Sequence, residues 1–260
     1  MPPIPLPNRV VSSLTVGLVG TASKLFLSLA CTTKVSGLEH LYEAWKEEHR
    51  QGKGIITVAN HISVMDEPLM WGILPLRSFF RDRTSRWTLG AQDIMYTNKL
   101  LSSFFNNGKC VETVRGAGIY QSAIDFAIQR LDTGDWVHLF PQGFVRQETL
   151  GPPIKRLKWG VGRMLAECKH TPTVIPIWIN GFEQVMPENR GFPKFLPRPG
   201  ANISISIGDP TNLTMQLHEQ RKKLWTGDEY SKNIHSFHSE TTAIIERALD
   251  ELGHKAVSST

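Results

Sequence analysis

The sequence predicts an α/β fold: a single domain with a central mixed, mostly parallel sheet flanked by helices, plus an N-terminal membrane-associated helix. Three observations carry this. Short apolar runs closed by turn residues, Ile55–Ala59 first among them, read as buried strands. Stretches of helical spacing lie between those runs. Residues 10–31 are mostly apolar with Lys24 as the only charge, and Leu14, Leu18, Ala22, Leu25 and Leu29 recur on one helical face.

Composition bounds the rest. A chain of 260 residues makes one large domain, or a domain with a small appendage. We divide it into a lead and interfacial helix at 1–31, a core at 32–215 and a C-terminal helical region at 216–260. A net charge of +5 favours an anionic partner, either phospholipid headgroups or nucleic acid. No RNP, zinc or helix-turn-helix signature supports nucleic acid, so a membrane surface is the expected partner. Cys31, Cys110 and Cys168 are odd in number and widely spaced, which implies neither a disulfide framework nor a zinc site. The start MPPIPLPNR has prolines where a signal peptide has its apolar region, so no secretory signal is expected, and no Arg-rich transit peptide either.

Taken in order, the Pro-rich lead at 1–9 is extended, and the helix at 10–31 follows. Ser12, Ser13, Thr15, Thr21, Ser23 and Ser28 interrupt it, so it falls short of a spanning helix. It reads as interfacial or half-inserted, with Leu14, Leu18, Leu25, Phe26 and Leu29 as lipid contacts. The alternative is a buried helix covering the sheet. Residues 37–50 form a charged surface helix.

The stretch GIITVANHISVMDEPLM, residues 54–70, organises the chain. It holds His61 at the end of a strand and Asp66 where a helix begins. Ser63 reads as the N-cap, Asp66 as its capping-box partner, and Pro68 lies in the first turn. In open α/β sheets, ligands bind beyond the carboxyl ends of the strands. A neutral imidazole there can take a proton from a hydroxyl, and a carboxylate can hold its tautomer and stabilise the imidazolium. No G-x-S-x-G occurs, so the hydroxyl belongs to a substrate and the product is an ester. That is acyl transfer to an alcohol. Against it stands the bland alternative, a core histidine and a helix cap, because an H-x4-D pair alone is weak.

Arg77, Arg81, Arg83 and Arg86 alternate with Phe79, Phe80 and Trp87, which fits either a phosphate-rich surface or a solvated connection. A strand at 87–90, a helix over 92–105 and a strand at 110–114 lead into Arg115-Gly116-Ala117-Gly118. An arginine at a strand end can pair a phosphate with two parallel hydrogen bonds, although a plain glycine turn is the default. The helix expected over 119–131 would add an anion-favouring N-terminus. The strand 135–140 ends in Pro141-Gln142-Gly143, a turn that aims a polar side chain into the crevice. Residues 153–168 read as a helix with Lys155, Arg156, Lys158 and Arg163 facing lipid or water. Pro176 places the strand at 173–179 on an edge or at a bulge. Phe192, Phe195 and Leu196 in the Pro-rich loop 183–200 either dip into a membrane or pack locally. Residues 202–208 alternate as a strand, and a helix runs over 230–252. His235 and His238 lie on it as surface histidines, since a metal site would need further ligands.

Together these motifs resemble the glycerophospholipid acyltransferase superfamily. Asn60-His61 through Asp66 match its H-x4-D block, Arg115-Gly116 its second block, Phe140-Pro141-Gln142-Gly143 its F-P-E-G block, and Val174-Ile175-Pro176-Ile177 its fourth. The likeness spans about residues 10–215. It implies an α/β core, His61 and Asp66 as catalytic residues, and Asn60, Arg115, Gly116, Phe140, Pro141, Gln142 and Gly143 as substrate-binding residues. The members most similar to this chain move acyl chains between phospholipids and lysophospholipids without free coenzyme A. They remodel cardiolipin from monolysocardiolipin and donors such as phosphatidylcholine. The same resemblance implies no cofactor or metal, and a mitochondrial membrane location facing the intermembrane space without full spanning. It leaves room for an oligomer. A coenzyme-A-dependent lysophospholipid acyltransferase and a catalytically silent lipid-binding protein are the competing functions.

One departure stands out. Gln142 replaces the glutamate of the third block, keeping its shape and an acceptor oxygen while losing the charge. If that position orients neighbouring backbone, activity survives. If it holds a cation, substrate binding weakens. Similar members also carry lysine at the place of Phe144, and the nearest base here is Arg146.

Overall fold

A computed structural model describes residues 4–50, 52–147, 157–225 and 230–258. Helix α1 (Arg9–Ala30) leads into β1 (Thr32–Ser36), α2 (Leu38–Trp45) and α3 (Glu47–Arg50). Next come β2 (Ile55–Ala59), α4 (Asp66–Met70), short 3-10 turns, β3 (Trp87–Ala91), α5 (Gln92–Met95), α6 (Lys99–Asn107) and β4 (Cys110–Thr113). The chain continues as α7 (Ser122–Asp132), β5 (Trp136–Leu139), α8 (Gly160–Glu167), β6 (Thr173–Asn180) and α9 (Phe182–Val185). It closes with β7 (Asn202–Ile207), α10 (Pro210–Trp225) and α11 (Tyr230–Ser258).

The sheet order is β1-β7-β6-β2-β5-β3-β4. Only β6 and β7 pair antiparallel, so the sheet is mixed and mostly parallel. Alternation along each strand divides the core between its two faces. Ile56, Val58, Val137, Leu139 and Val174 pack with residues of α7, α8 and α11. Ile55, Ala59, Trp136, Ile175 and Ile177 pack on the other side with residues of α1, α2 and α4. The carboxyl ends of β2, β3, β4, β5 and β6 share one edge. Since β7 runs against β6 and β1 runs with β7, the starts of β7 and β1 and the end of α1 lie at that edge too.

Pro176 corrects the sequence expectation, because β6 is an internal strand. It is tolerated because β7 pairs with β6 only from Ile177 onward, so no ladder bond is needed from the proline nitrogen. Its carbonyl accepts from Gly208 N–H at 2.8 Å, just past the end of β7. Two helices expected to be continuous are broken. Tyr96 leaves the 92–105 helix to donate its hydroxyl to Cys110 O, and Asn98 restarts it by capping Leu101 N–H. Lys46, extended at ψ 130, separates α2 from α3. Helix α7 starts later than expected because the Gln121 side chain ties the preceding loop, bonding Val114 N–H and Gly118 O. Strand β1 and helix α10 carry no strong sequence signal, and α10 runs through residue 215. His238 is buried, not on the surface, where Gly162 brings α8 against its backbone. Lys155 and Arg156 lie outside the described residues, and Arg163 turns inward to pair Asp125 and Glu167.

Helix α1 is built inside out. Its buried side carries Ser12, Gly17, Gly20 and Ser23, along with Val16 and Leu27. Phe79 and Phe80 fill the space that side chains on the two glycines would need. Ser23 donates to Pro68 O at 2.8 Å, and Lys24, the helix's one charge after Arg9, donates to Gly72 O and Leu74 O. Leu14, Leu18, Leu25 and Leu29 point away, Leu29 being 82% exposed, while Phe26 is half-buried against the core.

Candidate active site

His61 follows β2 after a single residue, Asn60, and its ring is partly open at 19% exposure. Its Nδ1 lies 2.9 Å from Asp66 Oδ2. The same oxygen accepts the N–H groups of Ile62 at 2.6 Å and Ser63 at 2.8 Å. An oxygen already accepting two backbone protons leaves donation to the imidazole, so the proton sits on Nδ1 and Nε2 carries the lone pair. The helix start expected at Ser63 moves to Asp66, and Ser63 Oγ accepts from Met65 N–H instead. What remains of the capping box is its return half, the carboxylate reaching back to Ser63 N–H. Burial pushes the Asp66 pKa up, opposed by His61 and the two backbone donors.

The β5 turn holds the His61 backbone from the neighbouring strand. Gln142 is buried, and its Oε1 accepts His61 N–H at 2.7 Å. Arg146 N–H donates to His61 O at 2.8 Å. Gln142 therefore orients backbone, a task its acceptor oxygen performs without the glutamate's charge. Phe140 stacks on the His61 ring at 4.1 Å between centroids. Pro141 is buried and its carbonyl accepts from Lys158 N–H at 2.8 Å. Gly143, at φ 73, leaves the space a side chain would occupy to the Lys158 side chain.

The other predicted residues fall in different places. Asn60 is buried, and its amide bonds Ile179 N–H and Ile179 O, both at 2.8 Å. It locks the ends of β2 and β6 together. Arg115 leaves β4, three strands from β2, or about 14 Å along the sheet edge by ordinary strand spacing. Its guanidinium is about half exposed and pairs Asp93 at 3.3 Å. Gly116 has φ 83 with open space beside it. A groove of about 910 Å³ runs from Asn60, Ile62 and Gln142 along the sheet edge to Lys34 and His254. Among the described residues, no cluster of three or more His, Cys, Asp and Glu could hold a metal ion.

Sequence reasoning missed two supports. Glu67, next to Asp66, takes a bidentate pair from Arg86 at 2.8 and 2.7 Å, and Arg86 lies over the Trp71 ring. The second is His138, buried beneath Phe140 and edge-on to it and to Trp71. Trp136 Nε1 donates to Thr57 Oγ1, so among the described residues the Thr57 hydroxyl proton has His138 Nδ1 as its acceptor. Strand alternation, with Trp136, His138 and Phe140 on one face, was the available signal.

Burial, with Arg86 and His61 nearby, holds His138 well below its ordinary pKa of 6.5. Below that pH the unfolded chain binds a proton that folded His138 refuses. Stability should therefore fall on acidification, by up to about 1.4 kcal/mol per pH unit from this group. Denaturant titrations between about pH 7 and about pH 5 should give a shallower slope for His138→Asn than for wild type. Equal slopes would reject the assignment.

A family model described as Acyltransferase matches residues 32–180. A tafazzin from Dictyostelium discoideum (named "Taffazin") is 40% identical over 210 residues, covering 79% of this chain and 71% of that protein. Tafazzin from Saccharomyces cerevisiae is 35% identical, over 84% of this chain and 66% of its own length. An N-acylphosphatidylethanolamine synthase from Arabidopsis thaliana is 42% identical over 64% of this chain and 58% of its own length. The family model covers more than half of the chain and the Dictyostelium relative matches at 40% identity over 71% of its own length: this chain belongs to the acyltransferase family, and within it is similar to tafazzins.

Proposed function

We propose that the chain exchanges acyl groups between phospholipids and lysophospholipids without coenzyme A, with monolysocardiolipin as acceptor and phosphatidylcholine as donor. The choice of a coenzyme-A-independent exchange rests on the similarity to tafazzins. The acyl-transfer chemistry is carried by the His61–Asp66 pair, whose free Nε2 has no hydroxyl or thiol hydrogen-bonded to it among the described residues. The nucleophile is then the substrate's own hydroxyl. His61 Nε2 takes its proton as the oxygen attacks the donor's ester carbonyl. Asp66 stabilises the imidazolium. Collapse of the tetrahedral intermediate returns the proton to the departing oxygen, leaving a lysophospholipid. One ester is exchanged for another, so the reaction is close to reversible. Arg115 and the backbone at Gly116 hold phosphate, while Gly143 N–H donates to Phe140 O.

The inside-out build of α1 supports a monotopic protein. Leu14, Leu18, Leu25 and Leu29 enter lipid while Ser12, Ser23 and Lys24 stay against the fold. We place it on a mitochondrial membrane, facing the intermembrane space.

The test is acyl exchange in liposomes containing labelled phosphatidylcholine and monolysocardiolipin. Label should reach cardiolipin without coenzyme A. A requirement for acyl-CoA would favour the coenzyme-A-dependent reading. With phosphatidylethanolamine added to the liposomes, label on its amine would favour the chemistry named for the Arabidopsis relative. Absence of any transfer would leave a lipid-binding protein.

In the same assay, Gln142→Glu should act within about threefold of wild type, since the acceptor oxygen is kept. Gln142→Leu orphans His61 N–H and should lower turnover by about 10- to 100-fold. Equal activity of the two variants would sink the backbone-orienting role.

A further inference from the structure

The loop between α9 and β7 carries Phe192, Phe195 and Leu196, and none of them packs into the fold. Phe192 is 92% exposed and Phe195 72%. Cations are interleaved with them: Arg190, Lys194 and Arg198, with no acid between residues 189 and 200. Arg190 braces the loop by donating to Lys194 O and Pro187 O. Neither Lys194 nor Arg198 is ion-paired among the described residues. Apolar rings exposed this fully, framed by one sign of charge, are costly in water unless something covers them.

The loop's place in the fold identifies the cover. It joins the end of β6 to the start of β7, at the edge of the sheet where His61 lies. Its base is tied to the end of α1, Gly200 N–H donating to Ala30 O at 2.6 Å. The row of outward leucines on α1 therefore ends beside it, Leu29 last.

We propose that residues 190–198 are a second membrane anchor, a wedge that inserts into a bilayer containing anionic phospholipid. Phe192, Phe195 and Leu196 enter the acyl region, and Lys194 and Arg198 lie at the phosphate level with their stems along the lipid. With α1 the wedge makes a two-point contact, which brings the active-site edge to the membrane instead of leaving the domain hanging from one helix. The inference rests on the membrane-surface part of the proposed function, not on its chemistry. The test reads binding, so a failure of the acyl-exchange assay would not touch it.

The experiment is sedimentation of the full chain with vesicles of phosphatidylcholine, with and without added phosphatidylglycerol. Phe192→Ser/Phe195→Ser should lower partitioning to both by about tenfold or more. Lys194→Gln/Arg198→Gln should reduce only the enhancement from the anionic lipid, by about fivefold per base removed. Met215→Ser, an exposed methionine on α10, should bind like wild type. A spin label on Phe195→Cys in a Cys31→Ser background, where Cys110 and Cys168 are buried, should gain oxygen and lose aqueous-chelate accessibility on vesicles. Wild-type partitioning of the double phenylalanine variant, or a label that stays in water, would overturn the proposal. A loop that instead serves a protein partner gives both of those results.

Discussion

His61→Ala should lose acyl transfer by about a thousand- to ten-thousand-fold while its thermal melt stays near wild type. The ring is partly open and its backbone bonds to Gln142 and Arg146 survive the change, so little folding energy is at stake. Asp66→Asn should reach a loss of about a hundred- to ten-thousand-fold by another route. An amide oxygen can still accept from Ile62 and Ser63, but the negative charge beside the imidazolium is gone. The amide nitrogen would enter the site of Asp66 Oδ1, which is buried without a partner. Turnover should fall with little change in KM, because neither group is asked to bind ground-state lipid. Exchange rates on mixed liposomes for the two single variants and the double would decide it. Two residues acting as one unit should give a double variant no worse than the poorer single. Losses that multiply would mean that the pair does not work together.

Breaking the Arg86–Glu67 pair should have the largest effect on stability. Arg86→Met leaves Glu67 facing Trp71 without its bidentate partner, one residue from Asp66. Removing one member of a well-buried pair costs about 3–5 kcal/mol, and Glu67's side chain, 24% exposed, lowers the expectation to about 2–4 kcal/mol. That corresponds to a drop of about 5–10 °C in melting temperature. Activity should fall as well, since α4 carries both Glu67 and Asp66. Glu67→Gln/Arg86→Met removes the stranded charge and should recover about half of the lost stability. Denaturant unfolding of the set would reject this reading if the double were no more stable than Arg86→Met.

The boundaries of β2, the helical nature of residues 9–30 and the place of His61 at a strand end were legible in the sequence. They follow from local pattern: an apolar run closed by polar residues, a period of about 3.6, and a turn that must come after a buried strand. The proximity of Asp66 was legible for the same reason, since both residues lie in one strand-to-helix turn. Local pattern says nothing about what a neighbouring strand supplies. Whether Gln142 damages the site or serves it depends on β5 lying beside β2, which brings its oxygen to His61 N–H across 81 positions of sequence. The tertiary fold also turned Asn60 into a tie to Ile179, set Arg115 three strands away, and buried His138 beneath Phe140. Pro176 was misplaced because its position depends on where β7 stops, a long-range fact. In α1, periodicity found the leucine face, but only packing against Phe79, Phe80 and Gly72 decided that this face looks outward. Hydrophobicity defines a stripe on a helix, and its partners determine which stripe is buried.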